Sequence, residues 1–152
     1  MTGLDLDADS LVEIAVVVTD AELQPLNDGL TIVIKPTPES VEQMDPFVRD
    51  MHTTTGLIEQ WDGGVSVNDA EAQVLEYIKR IVPEARKAPL AGNSVGTDRA
   101  FIARDMPALD AHLHYRIIDV SSIKELAKRW YPRTYFAAPE KTGNHTALGD
   151  IY

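Results

Sequence analysis

The chain has 152 residues, one domain by length, with 44% apolar and 25% charged residues, an ordinary mixture for a globular protein. It carries 14 Lys and Arg against 24 Asp and Glu, a net charge of −10, which argues against a protein that grips long nucleic acid through a basic face. No cysteine is present, which excludes a disulfide framework, a cysteine zinc site and thiol catalysis. The longest strongly apolar run, Ile14 to Val18, falls far short of the ~20 residues that span a bilayer. The acidic N-terminus is unlike a signal peptide, so a cytoplasmic location is the default expectation.

Residues 1–10, MTGLDLDADS, form an acidic, turn-like stretch. Leu11 to Thr19 reads as a buried strand with Glu13 as its one charge. Asn27-Asp28-Gly29 marks a turn, and Leu30 to Ile34 is a second strand that should pair antiparallel with the first. Val41 to Met51 is helical, with a fresh start at Asp45-Pro46, Asp45 as cap and Pro46 at the first helical position. HTTTG at residues 52–56 breaks that helix.

Ser66-x-x-Asp69 opens a long helix to about Val82, with Ala70, Val74, Leu75, Ile78 and Ile81 on one face. The stretch APLAGN is a short strand, Asp98 to Met106 a helix, and HYRIIDV another short buried strand. Ser122-x-x-Glu125 opens a helix to about Trp130, residues 132–144 read as a loop, and His145 starts a last helix. Trp61 is expected to pack rather than to shape a pocket. The order is that of an α/β protein, a mixed sheet with helices on its faces.

Four groups of residues bear on chemistry. Asp5-x-Asp7-x-Asp9 has the spacing that opens an EF-hand loop, but position six is Ser10 and position twelve is Val16, which favours a solvated acidic turn. His112-x-His114 near a strand start would put two rings on one face; without further ligands at usual spacing, surface or interface histidines are the simpler reading. In GNSVGTDRAF, residues 92–101, a strand ends, turns and delivers Asp98 at a helix start, either as a cap or as a ligand-binding carboxylate. In GNHTALGDIY, residues 143–152, His145 and Asp150 would lie ~140° apart on one helix. They converge only if His145 sits on the approach loop. Asp98 and Asp150 could then hold Mg²⁺ or Mn²⁺, which prefer hard oxygen ligands. Two such ions ~3.5–4 Å apart suit phosphodiester cleavage, with a neutral His taking the proton of the attacking water.

The segments MTGLD, GNSVGTDRAF, HYRIIDVSSIKELAKRW and GNHTALGDI together resemble the oligoribonuclease family, DEDDh-type 3′→5′ exoribonucleases on a ribonuclease-H-like fold. The resemblance runs over essentially the whole chain. It implies hydrolysis of very short RNA, di- to pentanucleotides, to nucleoside 5′-monophosphates with two Mg²⁺ or Mn²⁺ ions. It makes Asp98 and Asp150 metal ligands and His145 the general base. It makes Leu4 a wedge against the terminal base and Phe47 an aromatic holding a base. His52, Ser94, Arg116 and Ser121 match groups at the substrate's phosphate end. His114, Tyr115 and Arg116 match a segment that crosses a homodimer into the other subunit's site. An acidic surface fits a pocket for a dinucleotide better than a track for long RNA, whose affinity comes from Lys and Arg on phosphates.

The family's first motif, Asp-x-Glu, would fall immediately before the Met-Thr-Gly that opens this sequence. The expectation is therefore a single exonuclease domain, residues 1–152, shortened at both ends, lacking its first strand and cut about one turn into its last helix. A fragment or a misassigned start accounts for this better than a real truncated form, because loss of a central strand should cost more than the ~5–15 kcal/mol that holds a domain together. Taken literally, the shortened chain also suits an alternative, a non-catalytic dimerising or nucleotide-binding module on the same scaffold.

Overall fold

The computed structural model describes residues 1–138 and 147–151. Its strands are β1 (Glu13–Val16), β2 (Leu30–Val33), β3 (Leu90–Gly92) and β4 (Ile117–Asp119). Its α-helices are α1 (Pro38–Glu42), α2 (Pro46–Thr54), α3 (Val67–Ile81), α4 (Val95–Asp105), α5 (Pro107–His112), α6 (Val120–Trp130), α7 (Pro132–Phe136) and α8 (Ala147–Ile151), with a 3₁₀ turn at Ile58–Gly63. The α/β class is as the sequence indicated. The described strands form two hydrogen-bonded pairs rather than one continuous sheet: β1 and β2 antiparallel, β3 and β4 parallel.

The hairpin follows from its turn. Gly29 has φ +78°, a conformation that favours glycine, and its N–H donates to Asn27 Oδ1 at 3.1 Å. That turn sets the register Glu13 opposite Val33 and Val16 opposite Leu30. Side-chain alternation then feeds two cores. Leu11, Ile32 and Ile34 enter one cluster with Ala70, Val74 and Ile78 of α3, Phe101 and Ile102 of α4, and Met106 just after it. Val12 points the other way, to Met44, Leu57 and Trp61. The α3 positions recur every four residues, as one helix face requires.

Local start signals are obeyed. Ser66 Oγ accepts from Asp69 N–H at 3.1 Å, and Asp45 Oδ1 accepts from Phe47 N–H at 2.8 Å with Pro46 behind it. Several boundaries differ from expectation. The helix begun at Pro46 runs through His52 to Thr54 and stops before Gly56, whose φ is +72°. Helix α4 begins at Val95 and not Asp98. Helix α6 is capped by Asp119, which accepts from Ser121 N–H at 2.9 Å; Glu125 turns instead to Arg129, four residues on. Residues 132–136, expected as loop, are helical behind Pro132 at the first position. His112 ends a helix rather than starting a strand, and Ile117 and Ile118 of β4 are exposed rather than buried, because β4 pairs with β3 alone among the described strands. No described helix is long and apolar enough to cross a membrane.

Phe101 is fully buried where α4 meets the first core. Phe101→Ala is expected to remove ~3–5 kcal/mol of stability, the usual cost of emptying such a site. Urea unfolding checks this; a loss below ~1 kcal/mol would mean that the site collapses without cost.

Candidate active site

Asp98 lies in the first turn of α4. Phe101 and Ile102, three and four residues on, stand one turn along the same face and are buried in the core. Asp98 is thereby drawn into half-burial. Burial pushes its carboxyl above the usual carboxylate range, against its own backbone N–H and the Met1 amine, which both pull it down. Burial also lowers the Met1 amine, which sits in the negative field of Glu13, Asp98 and Asp9. A desolvated carboxylate in a region of negative potential is what a hard divalent cation relieves, so the donor chemistry fits such an ion. Among the described residues no group of three or more His, Cys, Asp or Glu stands close enough to hold a metal. His145 and the side chain of Asp150 lie outside the described residues; the backbone of Asp150 belongs to α8, which packs on β1 and β2.

The residues expected at the phosphate end assort in a definite way. Ser94 caps α4 in the left-handed conformation, φ +54°. Its Oγ meets Ser121 Oγ at 2.9 Å, and its N–H donates to Ser121 Oγ at 2.9 Å and Asp119 Oδ1 at 3.0 Å. Ser121 stands one residue into α6, so the starts of two helices meet at this pair. Helix starts carry partial positive charge, which favours anions, and here the Asp119 carboxylate already takes the Ser94 and Ser121 amides. Ser121 Oγ also donates to Asn93 Oδ1 at 3.1 Å, and Lys124 Nζ donates to the same oxygen at 3.2 Å. Two hydroxyls and an ammonium are thus gathered within one side chain's reach, and the strained backbone of Ser94 is held by a partner 27 residues away.

Leu4, Phe47 and Tyr115 are 74%, 77% and 73% exposed, free to meet a base. His114 and Tyr115 stack at 4.5 Å, and Arg116 lies over the Tyr115 ring at 5.3 Å. Arg116 N–H donates to His114 Nδ1 at 3.0 Å. His52 bonds to the start of the chain. It is buried, its Nε2 meets the Met1 carbonyl at 2.9 Å, and its ring stands edge-on to Trp61 at 5.8 Å. Trp61 packs in the second core, as expected. His112 is buried, not a surface histidine, with Nε2 3.0 Å from Val82 O.

An exonuclease family model, of the RNase T type, matches residues 1–152. An oligoribonuclease of Leifsonia xyli subsp. xyli is 64% identical over 151 residues, 99% of this chain and 73% of its own length. Oligoribonucleases of Streptomyces coelicolor and Cutibacterium acnes are 60% and 56% identical, each over 99% of this chain and 76% and 75% of their own. The chain belongs to the oligoribonuclease family of exonucleases. Membership favours the nuclease over a non-catalytic module, and exonucleases of this type depend on divalent metal.

Several residues without a motif of their own support the candidate site of this oligoribonuclease-family chain. Glu13 Oε2 accepts from Ala147 N–H at 3.0 Å, capping the helix that carries Asp150; its one signal was a lone charge in an apolar strand. Lys124 joins the Ser94–Ser121 pair, one turn along α6. Arg99, beside Asp98, donates to Asp110 Oδ1 at 2.6 Å, Asp110 O at 3.2 Å and His114 O at 2.9 Å, so α4 also fixes the root of the 114–116 segment.

Arg99→Ala leaves Asp110 and two carbonyls short of a partner and should cost ~1–3 kcal/mol, part of it recovered by Arg99→Lys. Urea unfolding of both variants tests this, and equal stability of all three proteins would contradict it. Burial lowers the His52 pKa from its ordinary value, with the hydrogen bond to Met1 O opposing. Between the folded and unfolded values the unfolded chain holds more protons, so stability should fall as pH drops below the ordinary histidine value of ~6.5. His52→Gln should flatten that dependence; an identical pH profile of stability in both proteins would refute it.

Proposed function

We propose that this chain is a metal-dependent 3′→5′ exoribonuclease that degrades di- to pentaribonucleotides to nucleoside 5′-monophosphates, as a cytoplasmic homodimer. The observation that carries this reading is 56–64% identity to oligoribonucleases over nearly all of the chain. Asp98 and Asp150 would hold Mg²⁺ or Mn²⁺, together with further carboxylates. When bound, the ions supply charge stabilisation at the cleaved phosphodiester. His145 takes the proton of the attacking water. Leu4 packs on the terminal base and Phe47 holds a base by stacking. His52, Ser94, Arg116 and Ser121, with Lys124, take the phosphate end of the substrate, which limits its length. His52 also holds the chain around Met1 through the Met1 carbonyl.

Two features support the short-substrate reading. The net charge of −10 works against tracking a long backbone. Ser94 caps the helix that carries Asp98 one turn on, and its hydroxyl meets that of Ser121 at 2.9 Å, so the hydroxyls proposed for the phosphate end stand close to the proposed metal ligand, as a substrate with few phosphates requires. The homodimer is supported by the exposed apolar row Ile123, Leu126 and Trp130 on α6, a helix without buried residues, which a second copy would cover. In that dimer His114, Tyr115 and Arg116 reach the other subunit's site.

Hydrolysis of a labelled diribonucleotide with Mn²⁺ or Mg²⁺ tests the proposal. Asp98→Asn and His145→Ala are each expected to lower kcat at least about 10²-fold, and chelation of the metal to stop turnover. A long RNA should be cut far more slowly than the dinucleotide. Wild-type turnover by His145→Ala would overturn the assignment of the base, and metal-independent cleavage would overturn the reaction class.

A further inference from the structure

The nuclease chemistry makes no use of Asp5, Asp7 and Asp9, yet the loop that bears them is densely bonded. Asp9 is its internal fastener. Its Oδ1 accepts from Thr2 Oγ1 at 2.8 Å and its Oδ2 from Asp5 N–H at 2.9 Å. Thr2 Oγ1 accepts in turn from Ser10 N–H at 3.0 Å, and Asp5 Oδ1 from Asp7 N–H at 2.8 Å. A Cβ on Gly3 would stand 2.2 Å from Asp9 Oδ2, so a larger residue there would push the Asp9 carboxylate away from these bonds. Carboxylates occupied in this way fold a loop rather than collect a cation.

The closed loop is tied to the body of the protein by two side chains. Gln43, after α1, donates to Ala8 O at 2.5 Å. Arg104, in the last turn of α4, donates to Asp9 O at 2.8 Å and to Leu6 O. Arg104 is itself held in aim. Asp105 takes Nε and Nη2 on its two carboxylate oxygens, at 2.6 Å each, and the Phe101 ring lies 4.8 Å beneath the guanidinium. A fork fixed on one edge and donating from the other transmits the position of α4 to the loop. The loop forms one wall of a cleft of ≈ 450 Å³ lined also by Gln43, Asp45 and Val48, and Leu4 stands exposed on that wall.

We propose that Arg104, aimed by Asp105, is a positioning residue for base recognition: it fixes the 4–9 loop on α4 and so sets where Leu4 meets the terminal base. The proposal deepens the reading of Leu4 as the base wedge and rests on it. Arg104 acts through the loop, by its bonds to Leu6 O and Asp9 O, so its loss weakens binding and leaves the chemical step intact.

Steady-state hydrolysis of a diribonucleotide by the whole protein, comparing Arg104→Ala, Leu4→Ala and the double variant, tests this. Arg104→Ala is expected to raise KM about tenfold with kcat within about twofold, the pattern of lost uniform binding. In the Leu4→Ala background the same substitution should change KM less than about twofold, since the two act through one contact. Asp105→Asn keeps the guanidinium on Phe101 and loosens only its aim. It should raise KM in the same direction by a smaller factor, and it carries the test if Arg104→Ala folds poorly. Wild-type KM in both Arg104→Ala and Asp105→Asn overturns the proposal, as does an undiminished effect of Arg104→Ala in the Leu4→Ala background. Failure of the wild-type protein to cleave the dinucleotide would instead count against the nuclease reading, and an unaltered KM in Leu4→Ala would remove the wedge and the positioning role together.

Discussion

The burial of one face of α4 governs the site. Val95, Phe101, Ile102 and Met106 are all driven into the protein, so the helix cannot roll without exposing them. Once its roll is fixed, so are the directions of its polar residues. Asp98 shares the face of Phe101 and Ile102 and is pulled into half-burial, where its negative charge is poorly solvated. Arg99 is turned to Asp110 and the His114 carbonyl, and Arg104 to the loop that bears Leu4. Hydrophobic packing on one side of a single helix thus orders three features that are far apart in sequence: a carboxylate, the root of an exposed aromatic segment and the wall of a cleft.

The second organising element is polar. Ser94 and Ser121 join the starts of α4 and α6, and Asp119 binds both backbone amides with one oxygen. Each helix start would on its own be a weak anion site. Brought together, with Lys124 beside them, they place several donors near the turn that carries Asp98. The Asp119 carboxylate fills the amides of Ser94 and Ser121, so the donors left for a ligand are chiefly the two hydroxyls and the ammonium. Asp119 offsets the charge of Lys124, so the cluster offers hydrogen-bond donors rather than a net positive charge.

What could be seen in the sequence was mostly local. Ser66-x-x-Asp69, Asp45-Pro46 and Asn27-Asp28-Gly29 each specify a helix start or turn through bonds within a few residues, and each forms as expected. The misplaced boundaries have distant causes. The start of α4 at Val95 depends on a left-handed Ser94 held by Ser121, and Asp119 outcompetes the Ser122–Glu125 pattern because Glu125 is taken by Arg129. Asp98 stood out as a carboxylate at a helix start, whereas Ser94, Ser121 and Leu4 were found through family resemblance and have no spacing signal of their own. Arg99, Arg104 and Glu13 left almost none, because most of their partners are backbone groups and many lie remote in the chain: Arg104 and Leu6 are 98 positions apart.

In the proposed function α4 presents Asp98 as a metal-binding carboxylate. Electron paramagnetic resonance of Mn²⁺ titrated with the protein tests it without recourse to turnover. Wild-type protein should bind the ion saturably and quench the free Mn²⁺ signal, and Asp98→Asn, folded as judged by circular dichroism, should bind it much more weakly. Equal quenching by a folded Asp98→Asn protein would contradict the account.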